Sequence, residues 1–327
     1  MKNRMNSIMD EFKKKKILVI GDIMLDKYIW GEVSRISPEA PVQVVNAVRE
    51  SYAPGGASNV ANNVAALGAG VFMVGVAGED LSKDTLVKEM KSRGINTEGI
   101  LIHKNSPTIQ KIRILAKSQQ LLRVDYESKD GYPEHLQKEI AEFINSKIEE
   151  IDGVIISDYA KGVITKSVAE HIIKKCSEKE KIVVVDPKPK NTLLYKNVDM
   201  ITPNHFEASE MSGLKDIDDN LIDSVGFKIT TLLNTNVLIT RGEKGMSLFQ
   251  KDGGIFHIPT KGKEVYNIIG AGDTVVAVAT LALVSGASLK EAAMISNIAA
   301  GIKVSKIEYP TVSIDEIKKY IEYYENE

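Results

Sequence analysis

The chain has 327 residues, 43% hydrophobic and 26% charged, with a formal net charge of -2, an ordinary composition for a globular protein with a sizeable core. Near-neutral charge gives no electrostatic reason to expect nucleic acid or a membrane surface as partner. Its single cysteine, Cys176, excludes an intrachain disulfide and a cysteine metal cluster, and residues 1–16 carry no apolar core of a secretory signal, so a cytoplasmic setting is expected.

In chain order, residues 1–14 read as a polar N-terminal lead-in, and the Lys13 to Lys16 run as a solvated stretch. The apolar run 17–21, ending in glycine, predicts a buried parallel strand, with Asp22 and Asp26 directly after it. Residues 28–48 change character: Trp30, Gly31, Pro38, Pro41 and alternating Val42 and Val44 predict an extended excursion from the core. Pro54-Gly55-Gly56 leads into a helical pattern over 57–67 carrying Asn59, Asn62 and Asn63. A strand over 71–76 and a helix over 81–93, stopped by Gly94, follow. Residues 106–124 are strand-like again, with alternating Ile109, Lys111, Arg113 and Leu115. Pairing of the two excursions would make a small β lid from separated insertions.

From there the order is regular: strand 154–157, helix 165–176, strand 182–185, strand 200–204, helix 221–233 and strand 237–240. Strands alternating with helices of this length predict a mostly parallel sheet covered on both faces. Several strands end in polar residues: Asp22, Asp158, Asp186, Asn204 and Thr240-Arg241-Gly242. Each alone is a common turn former. Together they mark the carboxyl edge, where open α/β sheets bind ligands.

The stretch Asn267-Ile-Ile-Gly270-Ala271-Gly272-Asp273-Thr274 opens an apolar run through Val284 that reads as a helix buried on all sides. Free N–H groups and the positive end of the helix dipole make such a turn an anion site. A carboxylate beside an anion site implies a third group between them, such as a substrate hydroxyl or a metal, as in phosphoryl transfer to an alcohol. The same residues also make a good helix start, with glycines for close approach and the aspartate as a cap.

The P-loop pattern is absent, Gly270-Ala-Gly272 lacks the third glycine of the dinucleotide fingerprint, and the five histidines have no His-Glu-x-x-His spacing. No Gly-x-Ser-x-Gly elbow occurs. What remains resembles the ribokinase or PfkB family of carbohydrate kinases, in Gly55-Gly56-Ala57-x-Asn59 and in Gly270-Ala-Gly-Asp273-Thr. More narrowly, Gly21-Asp-Ile-Met-Leu-Asp26, Ser34-Arg-Ile-Ser-Pro-Glu-Ala-Pro-Val42, Pro54-Gly-Gly-Ala-Ser-Asn-Val-Ala61, Gln119-Gln-Leu-Leu-Arg-Val-Asp125 and Ser157-Asp-Tyr-Ala-Lys-Gly162 resemble the D-glycero-β-D-manno-heptose 7-phosphate kinases.

The resemblance implies a ribokinase-like three-layer α/β/α fold over residues 15–327, with a mostly parallel central sheet and a β lid from segments 28–48 and 106–124. It implies Asp273 as general base and Gly270, Ala271 and Gly272 as anion hole. It places Asn204, His205, Phe206, Glu207, Thr240, Arg241, Gly242 and Asn297 at the nucleotide, and Asp22, Asp26, Gly55, Gly56 and Asn59 at the sugar. Lys111 and Arg123 in the lid would meet a substrate phosphate. ATP with Mg2+ would phosphorylate the C1 hydroxyl of the heptose phosphate; other sugars or sugar phosphates, ribose and fructose among them, are alternatives, as is a non-catalytic binding protein on the same fold.

Two positions depart from the pattern. Asn267 stands where the family commonly has an aspartate that helps hold a monovalent cation, which leaves potassium activation open, and Ile109-Gln110 replaces threonines of the heptose branch. No His-x-Gly-His motif of a fused nucleotidyltransferase is present, so a stand-alone kinase is expected. Exposed lid edges predict a homodimer joined through the lids.

Overall fold

The computed structural model describes residues 1–117, 119–128, 131–214, 221–260, 266–306 and 311–325. Two sheets carry the strands. The larger is built from β1 (Lys16–Gly21), β4 (Gly70–Ala77), β5 (Asn96–Ile102), β8 (Gly153–Ser157), β9 (Ile182–Asp186), β10 (Met200–Ile201), β11 (Asn236–Thr240), β12 (Met246–Phe249) and β13 (Ile255–Ile258). Their order is β13-β12-β11-β10-β9-β8-β1-β4-β5; β12 pairs antiparallel with both β11 and β13, and the other pairs are parallel.

Strand alternation sends successive side chains to opposite faces. Ile17, Val19, Ile155, Val184 and Leu238 enter one core; Leu18, Ile20, Val154, Ile156, Val183, Val185, Val237 and Ile239 enter the other. The first is covered by helices α1 (Lys2–Asp10), α2 (Ala57–Ala66), α3 (Leu81–Ser92), α8 (Ala271–Val284), α9 (Leu289–Val304) and α10 (Ile314–Glu325), and the second by α4 (Glu134–Lys147), α5 (Lys166–Glu178), α6 (His205–Ser212) and α7 (Ile222–Leu233). This is the three-layer α/β/α arrangement that the uninterrupted apolar strands predict.

The smaller sheet has the order β3-β2-β6-β7, from β2 (Ile23–Ile36), β3 (Gln43–Gly56), β6 (Gln110–Ala116) and β7 (Gln119–Tyr126). Its first two strands begin and end at the main sheet: Ile23 stands opposite Gly56 and Met24 opposite Gly55. The extended chain is therefore longer than the 28–48 excursion. Its inner ends are the apolar residues Ile23 to Leu25, which pack in the core and hide the alternation on which a strand boundary is read. β6 joins β2 in parallel, Leu25 opposite Gln110, so the two separated segments share one sheet.

The N-terminal segment corrects a sequence expectation. Residues 1–14 are more than a polar lead-in: α1 and the turn after it bury Met5, Ile8, Met9 and Phe12 against the first core. The reason is the i, i+3, i+4, i+7 spacing of those four residues, outvoted in composition by the polar residues between them. Only the lysine run is as expected, with Lys13 and Lys14 exposed.

Candidate active site

The two glycine motifs, 214 residues apart at Asn59 and Asp273, meet because α2 and α8 pack side by side with their N-termini at the same end. Gly56, at φ +55, is the N-cap of α2, and a Cβ there would lie 2.5 Å from the Asp22 carbonyl oxygen. Gly270, at φ +76, is the N-cap of α8. Both positions need the left-handed backbone that glycine supplies at no steric cost. α8 is buried on every side from Asp273 to Ala282, so its first turn is fixed in place by the core behind it.

Asp273 is 7% exposed and is held from two sides. Asn59 Nδ2 donates to its Oδ2 at 2.5 Å, and the Tyr159 hydroxyl donates to its Oδ1 at 2.9 Å. Next to it the Thr274 hydroxyl donates to Asn63 Oδ1 at 2.9 Å, a second tie between the two helices. Burial raises the Asp273 pKa above the ordinary carboxylate value, with the Asn59 and Tyr159 hydrogen bonds opposing it. Such a carboxylate is a better proton acceptor than an exposed aspartate. The Ala271 N–H at the start of α8 donates to the Ile268 carbonyl at 3.3 Å; the N–H groups of a helix's first turn otherwise lack an intrahelical partner and suit an anion.

A cavity of about 530 Å³ opens in front of this turn. Gly270, Ala271, Gly272 and Asp273 line it together with Asn204, His205, Phe206, Glu207, Thr240, Gly242 and Asn297, all expected from the sequence. Asn204 caps α6 through a reciprocal pair: its Oδ1 accepts from the Glu207 N–H and Glu207 Oε2 accepts from the Asn204 N–H, both at 3.0 Å. The Phe206 ring is exposed and lies against His205, with centroids 3.8 Å apart. Asn297 Nδ2 donates to the Pro259 carbonyl.

Among the lining residues not named as site residues are three with chemistry to offer: Tyr159 follows β8, Asp186 ends β9 and Lys188 lies just beyond it. Lys188 pairs with Glu207, and its ammonium lies 5.5 Å from the Tyr159 ring centroid. Burial alone would lower the Lys188 pKa, but Glu207 and then Asp186 and Asp158 hold it above the ordinary lysine value. Asp186 is pushed well up by burial, then by Asp273 and Glu207. Both strand ends were legible as polar carboxyl termini; the tyrosine stood inside a quoted motif without a role.

Two expected site residues are placed elsewhere. Asp22 is fully buried, and its carboxylate accepts from the backbone N–H groups of Tyr159, Lys161 and Val163 at 2.9, 3.0 and 3.1 Å. Its oxygens are taken by the loop after β8, so it holds Tyr159 in place and presents no free face to a sugar. Arg241 does not line the cavity: its Nη1 donates to Ser247 Oγ at 3.0 Å on neighbouring β12.

Asp26 occupies the position that Asp22 was expected to share. It stands opposite Ala53 on β3 and Lys111 on β6, and a Cβ on Gly55 would lie 2.6 Å from its Oδ2. Arg113 Nη1 donates to Asp26 Oδ1 at 2.5 Å, with the guanidinium 5.3 Å from the Tyr28 ring centroid. Burial raises the Asp26 pKa against the pull of Arg113 and Lys111, and the Asp26 charge in turn raises that of Asp273. Lys111 and Arg123 both pair with Asp125, at 3.2 and 2.9 Å, and Arg123 keeps half of its side chain in solvent. Asp26, Lys111, Arg113, Arg123 and Asp125 share one face of the small sheet, by the period of two along paired strands. Among the described residues no group of three or more His, Cys, Asp or Glu side chains could hold a metal ion, and no helix is long and apolar enough to cross a membrane.

Comparison with known proteins agrees with this geometry. The chain is 42% identical to the bifunctional protein HldE of Desulfatibacillum aliphaticivorans over 312 residues, 95% of this chain and 64% of that one. It is 44% identical to the bifunctional protein HldE of Helicobacter pylori strain J99 over 304 residues, 93% of this chain and 65% of that one. The chain thus spans a little under two thirds of the length of these curated relatives. In fold it resembles Arabidopsis thaliana ribokinase complexed with ribose and ATP, at TM-score 0.72 and 20% identity over 94% of this chain and 98% of that one. Escherichia coli phosphofructokinase-2 in complex with potassium matches at TM-score 0.77 and 17% identity over 95% and 99%. The model of the pfkB family carbohydrate kinases matches residues 14–313, and by that match this ribokinase-like chain belongs to the pfkB family, phosphotransferases whose acceptor is a sugar hydroxyl.

Proposed function

We propose that the chain phosphorylates the C1 hydroxyl of D-glycero-D-manno-heptose 7-phosphate with ATP, giving the 1,7-bisphosphate and ADP. The observation that carries the reading is the buried Asp273 carboxylate, fixed by Asn59 and Tyr159 at the N-terminus of α8 and facing the cavity. The five sequence stretches that resemble the heptose branch and the identity to HldE proteins support the choice of sugar.

In this reading the nucleotide enters along Asn204 to Glu207, Thr240, Gly242 and Asn297, with the exposed Phe206 as an apolar face for the base. The sugar lies between Asp26, Gly55, Gly56 and Asn59. Asp273 takes the proton from the C1 hydroxyl as its oxygen bonds to the γ-phosphorus. The bond from that phosphorus to the β,γ-bridging oxygen breaks, and ADP leaves. The first-turn N–H groups of Gly270 to Gly272 face the charge on the transferring group. Lys188, held charged by Glu207, lies at the same end. Mg2+ would arrive on the phosphates, since the described residues offer no cage of their own, and Asp186 and Glu207 are the carboxylates of the cavity wall that suit it; its chemistry is to neutralise phosphate charge. The distal phosphate of the sugar meets Lys111 and Arg123 on the lid.

An ADP-release assay across sugars and sugar phosphates tests the substrate. Turnover with the heptose phosphate is expected; its absence beside good turnover with ribose or fructose 6-phosphate removes the branch assignment. A cytoplasmic setting and a homodimer joined through the lids belong to the same reading. Val33, Ile36, Val42, Val48, Leu122 and Tyr126 are exposed on the small sheet and its turns, an apolar surface of the kind that pairs. Light scattering at the mass of one chain would refute the dimer.

A further inference from the structure

Lys303 is a buried cation that the reaction just described does not use. It is 4% exposed, near the C-terminus of α9, one residue before Val304. Its Cε lies 3.6 Å from the point where a Cβ on Gly270 would stand, and Asp273 Oδ2 lies 3.7 Å from the same point. The lysine side chain therefore runs behind the anion-binding turn, in the space left by the missing glycine side chain. Lys303 is absent from the cavity wall, while its neighbours Gly301 and Val304 line it.

The family resemblance implies a monovalent cation beside this turn, and the described residues at the place do not suit one. Asn267 Oδ1 already accepts the Ile269 N–H at 2.9 Å, and Ile268 and Ile269 bring apolar side chains. The Val304 carbonyl accepts from both Tyr266 N–H at 2.8 Å and Asn267 N–H at 3.1 Å. The segment ahead of the turn is thus pinned by protein hydrogen bonds to the residue that follows Lys303. Lys306, the other nearby cation, is drawn away to Glu316 and the Thr311 carbonyl.

We propose that the Lys303 ammonium is a built-in counter-charge behind Gly270 to Gly272, a positioning residue that replaces a bound monovalent cation, so that phosphoryl transfer by this chain is independent of potassium. A fixed positive charge in a water-poor site is preorganised for charge that grows on the transferring group. Burial and Lys306 lower the Lys303 pKa, and the Asp273 charge acts the other way, so the carboxylate and the ammonium support one another's ionised forms. The inference rests on reading Gly270 to Asp273 as the transfer site.

The test compares the whole chain and two variants in potassium, sodium and choline chloride at equal ionic strength, with whichever sugar phosphate or sugar turns over. The unaltered protein is expected to keep its kcat within about twofold across the three salts, since the protein supplies the charge. Lys303→Ala is expected to lose at least about tenfold in kcat in choline with KM values nearly unchanged, and to regain much of it in potassium or ammonium, which fit the vacated space. Lys303→Met, which fills the space with apolar atoms, is expected to show the loss without the rescue. A second readout needs no substrate: the melting temperature of Lys303→Ala should rise when potassium replaces choline, and that of the unaltered chain should not. Strong potassium activation of the unaltered chain overturns the proposal, as does Lys303→Ala with an unchanged kcat or with a loss that no cation restores. If Lys303→Ala does not fold, the salt comparison on the unaltered chain and Lys303→Met decides. If no sugar turns over, the transfer-site reading fails, while the melting comparison still reports on the counter-charge.

Discussion

The two sheets of this molecule are built for different tasks. The nine-stranded sheet is covered on both faces, and three charged groups at its carboxyl edge have fixed neighbours: Asp22 has three N–H donors, Asp273 two side-chain donors, and Lys188 a carboxylate. The four-stranded sheet has much of one face in solvent, and its charged residues pair with each other across and along its strands. In the proposed reading, groups that must be placed to a fraction of an ångström for chemistry stand on the first, where packing leaves one arrangement, and groups that would recognise a substrate stand on the second, where exchange of one partner for another costs little. Loss of a group on the main sheet should therefore lower turnover, and loss on the small sheet should weaken substrate binding.

The largest expected effect is at the junction. Asp273→Asn keeps the shape and the Tyr159 contact but removes the proton acceptor, so kcat should fall by about 10²- to 10⁴-fold. Nucleotide binding, measured by calorimetry, should stay nearly unchanged; equal loss of both would make the aspartate a structural cap. Next comes Arg113→Met. It leaves the Asp26 carboxylate buried without its guanidinium, and removing one partner of such a pair costs about 3–5 kcal/mol. A lower unfolding midpoint in urea and a KM for sugar raised about tenfold or more should appear together, with nucleotide binding retained. A kcat loss without a change in KM would break the division between the sheets.

The same division explains what could be read from the sequence. Six strands of the main sheet were legible as short, largely apolar runs, while β5, β12 and β13, interrupted by Thr97-Glu98-Gly99, Ser247 and His257, were not; Asp273 was legible because glycines and a carboxylate at a helix start are a local pattern. Tyr159 was not: its bond to Asp273 spans 114 positions and depends on Asp22 holding the loop backbone. Asp22 and Asp26 look alike in sequence, four positions apart, yet one fills its oxygens with backbone donors and the other pairs with Arg113 of the lid. Lys303 sits in an ordinary helical pattern, where a single lysine reads as a solvated side chain; only the glycine packed against it shows its burial. Met5, Ile8, Met9 and Phe12 had the right spacing but a polar average.

Tyr159→Phe sharpens the comparison from within the main sheet. The hydroxyl donates to Asp273 and lowers its pKa against the larger effect of burial. Without it the aspartate pKa rises further above the ordinary carboxylate value. If Asp273 works as a base in its ionised form, as proposed, activity is lost as pH falls through that pKa, so the acid limb of the kcat profile should move to higher pH. A hydrogen bond of about 1 kcal/mol corresponds to a shift of somewhat under one pH unit. On the plateau above the limb kcat should change little. A limb that moves the other way would mean that the tyrosine does not act through Asp273.

The smallest effect is expected at Arg123, and it bears on what the lid reads. Half of its side chain is in water and its partner Asp125 also has Lys111, so the bridge contributes at most about 1 kcal/mol to stability. Arg123→Ala should leave the melting temperature and kcat nearly as they are. Its consequence should lie in recognition: KM for a phosphorylated sugar should rise about two- to fivefold, the scale of one exposed charge, and the rise should shrink with added salt. KM for the same sugar without its phosphate should not move, because that substrate brings no charge to the lid. An equal rise for both sugars would instead place the arginine in the general fit of the lid, and the distal phosphate would then need another cation, for which the buried Arg113 stands nearest in register, directly opposite Arg123.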